Sequence, residues 1–115
     1  MFATMKPYAP APPPGAQPPP LWGSEEHVRG LLGDRVTEVS AARAALRVDH
    51  FATPADFRDY FKSHYGPTIV AFKGIAEDAG KVAALDRDLA DLGRRFDLGG
   101  GAMEWEYLLL TATTR

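Results

Sequence analysis

From Val82 onward apolar residues return every three or four positions, at Val82, Leu85, Leu89, Leu92 and Phe96. That spacing places them on one face of a helix. Gly80 separates this helix from the one before it. Upstream, Thr53-Pro54-Ala55-Asp56 reads as a helix start, with a Thr cap, Pro in the first turn and an acid behind it. Phe57, Tyr60, Phe61 and His64 follow at helical spacing, and Tyr65-Gly66 closes that helix. Pro67 permits another start, with Ile69, Val70, Phe72 and Ile75 as its apolar positions. An earlier helix begins at the Ser24 cap, carries Glu25 and Glu26 in its first turn and stops at Gly33. Leu21 and Trp22 precede that cap and are expected to pack back on the helix as a staple.

Two stretches follow a period of two instead. Across residues 35–50, Ala42, Ala44, Leu46, Val48 and His50 alternate with Arg43, Arg47 and Asp49. The alanine-rich part favours helix on propensity, but the alternation predicts a strand. Residues 103–111 mix aromatic and aliphatic side chains, with Trp105, Tyr107 and Leu109 on one face and Glu104, Glu106, Leu108 and Leu110 on the other. The predicted order is helix, strand, three helices, strand. Two strands make a weak sheet, and a strand apolar on both faces suits a larger covered one.

Composition sharpens this outline. Eight of the ten prolines lie in the first 20 of 115 residues. Each fixes φ and removes a donor, so residues 1–22 are expected to be an extended proline-rich arm ahead of a single domain over 23–115. Thirteen Lys and Arg against 15 Asp and Glu give a net charge of −2, which supplies no basic field for nucleic acid. No apolar run approaches a membrane span. The first residues hold one Lys and then prolines, not a secretory leader, so the expected location is cytoplasmic. Cys is absent, which excludes disulfides, thiolate metal sites and Cys nucleophiles.

Candidate chemistry is sparse. His27, His50 and His64 match no metal-ligand spacing, and no metal site is expected. Glu104 and Glu106 share a strand face, but two solvated or ion-paired acids explain them without acid–base work. Gly99-Gly100-Gly101 precedes a strand where a phosphate cradle precedes a helix. No catalytic residue can be assigned. The densest aromatic stretch, Phe57 to Phe72, reads either as helix core or as the wall of a small-molecule pocket with Tyr and His as polar handles.

Several motifs occur together in order: Met5-Lys6-Pro7-Tyr8 with Pro12-Pro13-Pro14-Gly15, Leu21-Trp22-Gly23-Ser24-Glu25-Glu26 with Leu31-Leu32-Gly33, Tyr65-Gly66-Pro67-Thr68 with Ala71-Phe72, then Asp88-Leu89, Arg95-Phe96, Glu106-Tyr107-Leu108 and Ala112-Thr113-Thr114-Arg115. In this the chain resembles the C-terminal part of class I S-adenosylmethionine-dependent methyltransferases of the type-11-domain group. The resemblance implies an α/β fold, the end of a doubly wound sheet. As an isolated chain this is α+β, with about two antiparallel strands, four helices and the proline arm. The strands near 36–50 and 103–112 would be the last two of that sheet, and the helices at 54–76 an insertion over the substrate side.

The family's cofactor loop has no counterpart here. The resemblance therefore implies no cofactor-binding residue, no S-adenosylmethionine bound by this chain alone and no autonomous methyl transfer. Its substrate-side candidates are Trp22, Tyr65, Thr68 and Phe72. The partner it implies is a separate N-terminal methyltransferase half. The alternative is a small binding module that self-associates through an unpaired sheet edge.

Overall fold

The computed structural model describes residues 1–115. It contains five α-helices, α1 (Phe2–Met5), α2 (Glu25–Leu32), α3 (Pro54–His64), α4 (Gly66–Gly74) and α5 (Ala79–Arg95). Two strands, β1 (Val36–Val48) and β2 (Met103–Thr114), form a two-stranded sheet. Helices and sheet are thus mixed, as expected for α+β. No helix is long and apolar enough to cross a membrane. The chain divides into two compact units, Met1–Pro12 with Val48–Met103, and Pro13–Arg47 with Glu104–Arg115.

The N-terminal segment departs from the expected extended arm. Residues 1–22 do not form one extended arm. The first prolines come only at Pro7 and Pro10, which leaves the preceding residues free to make α1. Met5 is 3% exposed, and the segment through Pro12 belongs to the helical unit. Residues 23–115 contribute to both units.

In the helical unit each start signal is used. Thr53 and Asp56 form a reciprocal capping box at α3, Pro67 lies in the first turn of α4, and the Asp78 side chain accepts from the Lys81 amide at α5. The unit has two apolar clusters. One contains Met5, Ala71, Ile75, Leu85 and Leu89, and the other Phe51, Phe57, Leu92 and Met103; Met1 packs against both. Leu85 and Leu89 are fully buried. The stripe ends earlier than its spacing predicts, because Phe96 follows the last helical residue and is 57% exposed. Gly93 lets α3 approach α5: a Cβ there would stand 3.0 Å from the Phe57 ring. Gly101 has φ +87°, and a Cβ on it would meet the Phe51 carbonyl oxygen at 1.9 Å. Asp97 folds this turn by accepting from the Gly99 and Gly101 amides.

The second unit is a ribbon with α2 and two 3-10 turns, Pro19–Gly23 and Gly33–Arg35. Ser24 caps α2 by accepting from the His27 amide. Trp22 does not pack back as a staple, since it is 67% exposed. The strands run antiparallel: the Arg115 amide donates to the Arg35 carbonyl, Thr113 donates to Glu38 at 2.9 Å, and Arg43 pairs with Glu106 at 2.8 Å. Arg43 and Glu106 meet on one face. Alternation therefore puts Ala42, Ala44 and Leu46 of β1 with Trp105, Tyr107 and Leu109 of β2 on the other. Glu38 takes φ +53° inside β1, a local break in regular pleating. Val28 is the one buried hydrophobic residue of this unit.

Candidate functional site

Helical spacing on α3 sets Phe57, Tyr60, Phe61 and His64 along one side, and the segment before its cap returns His50 and Phe51 to the same place. Phe51 is 4% exposed and meets Phe57 and Tyr60 edge-on, at ring separations of 5.5 and 5.4 Å. Tyr60 stands between two histidines, 5.3 Å from the His50 ring and 4.9 Å from His64. It is 43% exposed, while His50 and His64 are also exposed. The result is an aromatic ledge with an apolar floor and three polar rims. Edge-to-face packing of this kind fixes ring directions as well as burying area. The ledge offers flat apolar contact with a phenol and two imidazoles as hydrogen-bonding groups.

The substrate-side residues proposed from sequence fall in different surroundings. Tyr65 is half-buried and continues the aromatic run, 5.3 Å from Phe61 and 6.5 Å from Phe2. Thr68 is completely buried and donates its hydroxyl to the Met5 sulfur at 3.1 Å. It is a core residue that ties the N-terminal segment to α4, with no open face toward a ligand. Phe72 packs on the same cluster, and the Lys62 ammonium lies 4.5 Å over its ring. Trp22 belongs to the other unit. Tyr65, Thr68 and Phe72 thus share one region of the helical unit, but as packing around Met5 more than as a lining.

Beside this region, Lys62 bonds both oxygens of Asp86 at 2.9 and 3.2 Å. Arg58 donates to Asp59 at 2.9 Å. That hydrogen bond holds the Asp59 carboxyl below its ordinary range and raises the Arg58 guanidinium. These charges are paired with one another, and no group of three or more His, Asp or Glu side chains converges as a metal site would require. An open depression of about 380 Å³ follows α4, lined by Lys73, Lys81, Glu77 and Asp78, whose charges balance. Glu106 is occupied by Arg43 on the ribbon. Sequence reasoning missed His50 and Phe51 as members of the ledge, because their place depends on the turn before Thr53.

No protein-family model and no solved structure matches the chain. Its sequence is 49% identical, over all 115 residues, to an uncharacterized protein of Mycobacterium tuberculosis, and equally to one of Mycobacterium bovis. A second uncharacterized protein of Mycobacterium tuberculosis is 44% identical over 112 residues. The chain spans 42% of the length of the first pair and 40% of the second protein.

S-adenosylmethionine, which the resemblance implies, does not fit the residues present. The triple-glycine turn is the chain's one glycine-rich loop, and Asp97 already takes its Gly99 and Gly101 amides. Gly101 also lies against the Phe51 backbone, so no cradle faces outward.

Proposed function

We propose that this chain is the substrate-side, C-terminal segment of an S-adenosylmethionine-dependent methyltransferase, with the cofactor site carried by protein outside these residues. The observation that carries the reading is the ordered set of motifs from Met5-Lys6-Pro7-Tyr8 to the terminal Ala112-Thr113-Thr114-Arg115. It is supported by the antiparallel pair Val36–Val48 and Met103–Thr114, which occupies the two stretches the resemblance reserves for the last strands of a larger sheet. Relatives more than twice as long have room for the rest of that sheet. In this reading the His50, Tyr60 and His64 ledge faces the methyl acceptor, with Tyr65 and Phe72 as support.

The test compares thermal melts of this chain and of the longer Mycobacterium tuberculosis relative, with and without S-adenosylmethionine. A ligand that binds only the folded state raises the midpoint. The expected result is a rise for the longer protein and none for this chain. A longer relative that does not respond overturns the methyltransferase reading. A response from this chain alone overturns the statement that its residues hold no cofactor.

A further inference from the structure

Thr68 places a hydroxyl where packing alone has no need of one. It is completely buried on α4, and its bond goes to the Met5 sulfur at 3.1 Å. A thioether is a weak acceptor, and a buried hydroxyl so bonded costs more than an apolar group of the same shape. The segment that covers it is lightly fastened. α1 has four residues and no side-chain cap, too short to hold as a helix by itself. Lys6 and Pro7 are exposed, and so is the proline-rich run that starts at Ala9. Apart from apolar packing, two side-chain bonds tie the segment down: Thr68 to Met5, and the Tyr8 phenol to Asp88 at 2.6 Å. Segments with so few ties open well below the free energy of global unfolding. Under it, Tyr65 and Phe72 are half-buried beside Met5, and Phe2 stands edge-on to Tyr65.

We propose that Phe2–Tyr8 is a lid over a binding site for a small neutral aromatic molecule with one oxygen acceptor. In the closed form Met5 fills that site, which is why Thr68 has no open face. When the lid lifts, Thr68 is left as a donor beside a floor of Ala71, Leu85 and Leu89, with Tyr65 and Phe72 at the side. An aromatic ring replaces the contacts of Met5 and Phe2. Its oxygen accepts from Thr68 in place of the sulfur and makes the stronger bond of the two. The floor carries no charge, and Lys62 close by is already paired with Asp86, so a charged ligand would lose its hydration without gaining a partner. Through Phe61, 5.3 Å from Tyr65, the site adjoins the aromatic ledge. Its use for a methyl acceptor rests on the methyltransferase reading, which marks Tyr65, Thr68 and Phe72; the lid itself does not.

The chain has no cysteine, so a single introduced thiol reports its own exposure. Thr68→Cys is the first probe and Ala71→Cys, in the cluster of Met5, the second; Leu92→Cys in the other cluster is the control. The full chain is labelled with a thiol-reactive disulfide. Labelling should be roughly tenfold or more faster at the two probes than at the control. It should also be nearly independent of low urea, since a lid exposes little surface. Equal rates with the same urea dependence show that Thr68 opens only on global unfolding, and overturn the lid. The ligand probe for the wild-type chain is 2-naphthol. It should raise the melting midpoint and also speed hydrogen exchange at the Tyr8 and Ala9 amides, which bond the Met5 carbonyl in the closed form. A higher midpoint with those amides better protected overturns displacement of the lid, and no change in either overturns the site. Thr68→Val, of the same shape without the donor, should lessen the rise; an equal rise overturns the role of Thr68. Both experiments omit S-adenosylmethionine, so a failure of the methyltransferase test leaves their result unchanged.

Discussion

Replacing Leu89 with Ala tests the core of the helical unit. Leu89 is fully buried and shares its cluster with Leu85, Ala71, Ile75 and Met5. Removing the buried carbons forfeits transfer free energy of roughly 1.5–3 kcal/mol, and the cavity left between α4, α5 and the N-terminal segment adds to that. The expected loss is about 3 kcal/mol, within the range of ~2–5 for buried Leu→Ala changes. Phe96→Ala is the matched control. It occupies the next position of the same periodic stripe, yet it is 57% exposed and lies beyond the last residue of α5. Its loss should stay below about 1 kcal/mol, as for other changes away from packed positions. Urea titrations followed by far-UV circular dichroism read both, with unchanged slopes and a shifted midpoint for Leu89→Ala. In a chain of this size the loss corresponds to a fall in Tm on the order of 10–20 °C. Equal losses from the two variants, or a Leu89→Ala protein within about 0.5 kcal/mol of wild type, would refute the assignment of the core to Leu85 and Leu89.

Gly101→Ala should destabilise the protein by more than about 1 kcal/mol, since both its φ of +87° and its contact with the Phe51 carbonyl exclude a Cβ. Gly100→Ala, at φ +62° but in open space, should lose less, and equal urea midpoints would contradict the close approach. The Tyr8 phenol donates to Asp88 at 2.6 Å, and that bond raises its pKa above 10.0. The neutral phenol is the form favoured on folding, so its contribution is whole below pH 10 and is lost as pH rises through the raised value. Tyr8→Phe should therefore flatten the alkaline limb of the stability profile, and an unchanged limb would show that the bond has no role.

What was legible in the chain was whatever depends on neighbours in sequence. The capping box at Thr53 and Asp56, the cap at Ser24 and the apolar repeat through Leu92 are all local signals, and the structure uses each one. The strand over the alanine-rich stretch was readable because alternation of Ala and Arg outweighed helix propensity. Failures came where distant contacts decide. Met5 is buried because α4 and α5 offer it a groove, and nothing near it in sequence announces that. The resemblance makes Thr68 a substrate-side candidate, but its hydroxyl donates to the sulfur of Met5, 63 residues away. The meeting of His50 and His64 on Tyr60 likewise needs the turn ahead of α3.

The pairing of β1 with β2 has a kinetic consequence. Arg43 and Glu106 are 63 residues apart, and Glu38 and Thr113 are 75 apart. By contrast, α3, α4 and α5 follow one another directly in sequence. Contacts between near neighbours close small loops and form early, whereas a ladder across such separations must wait for the intervening chain. During synthesis β1 leaves the ribosome first and stays without its strand partner until Met103–Thr114 has been made. Throughout that interval residues 36–48 lack the ladder that makes them a strand, so the ribbon is completed only after the helices have been made.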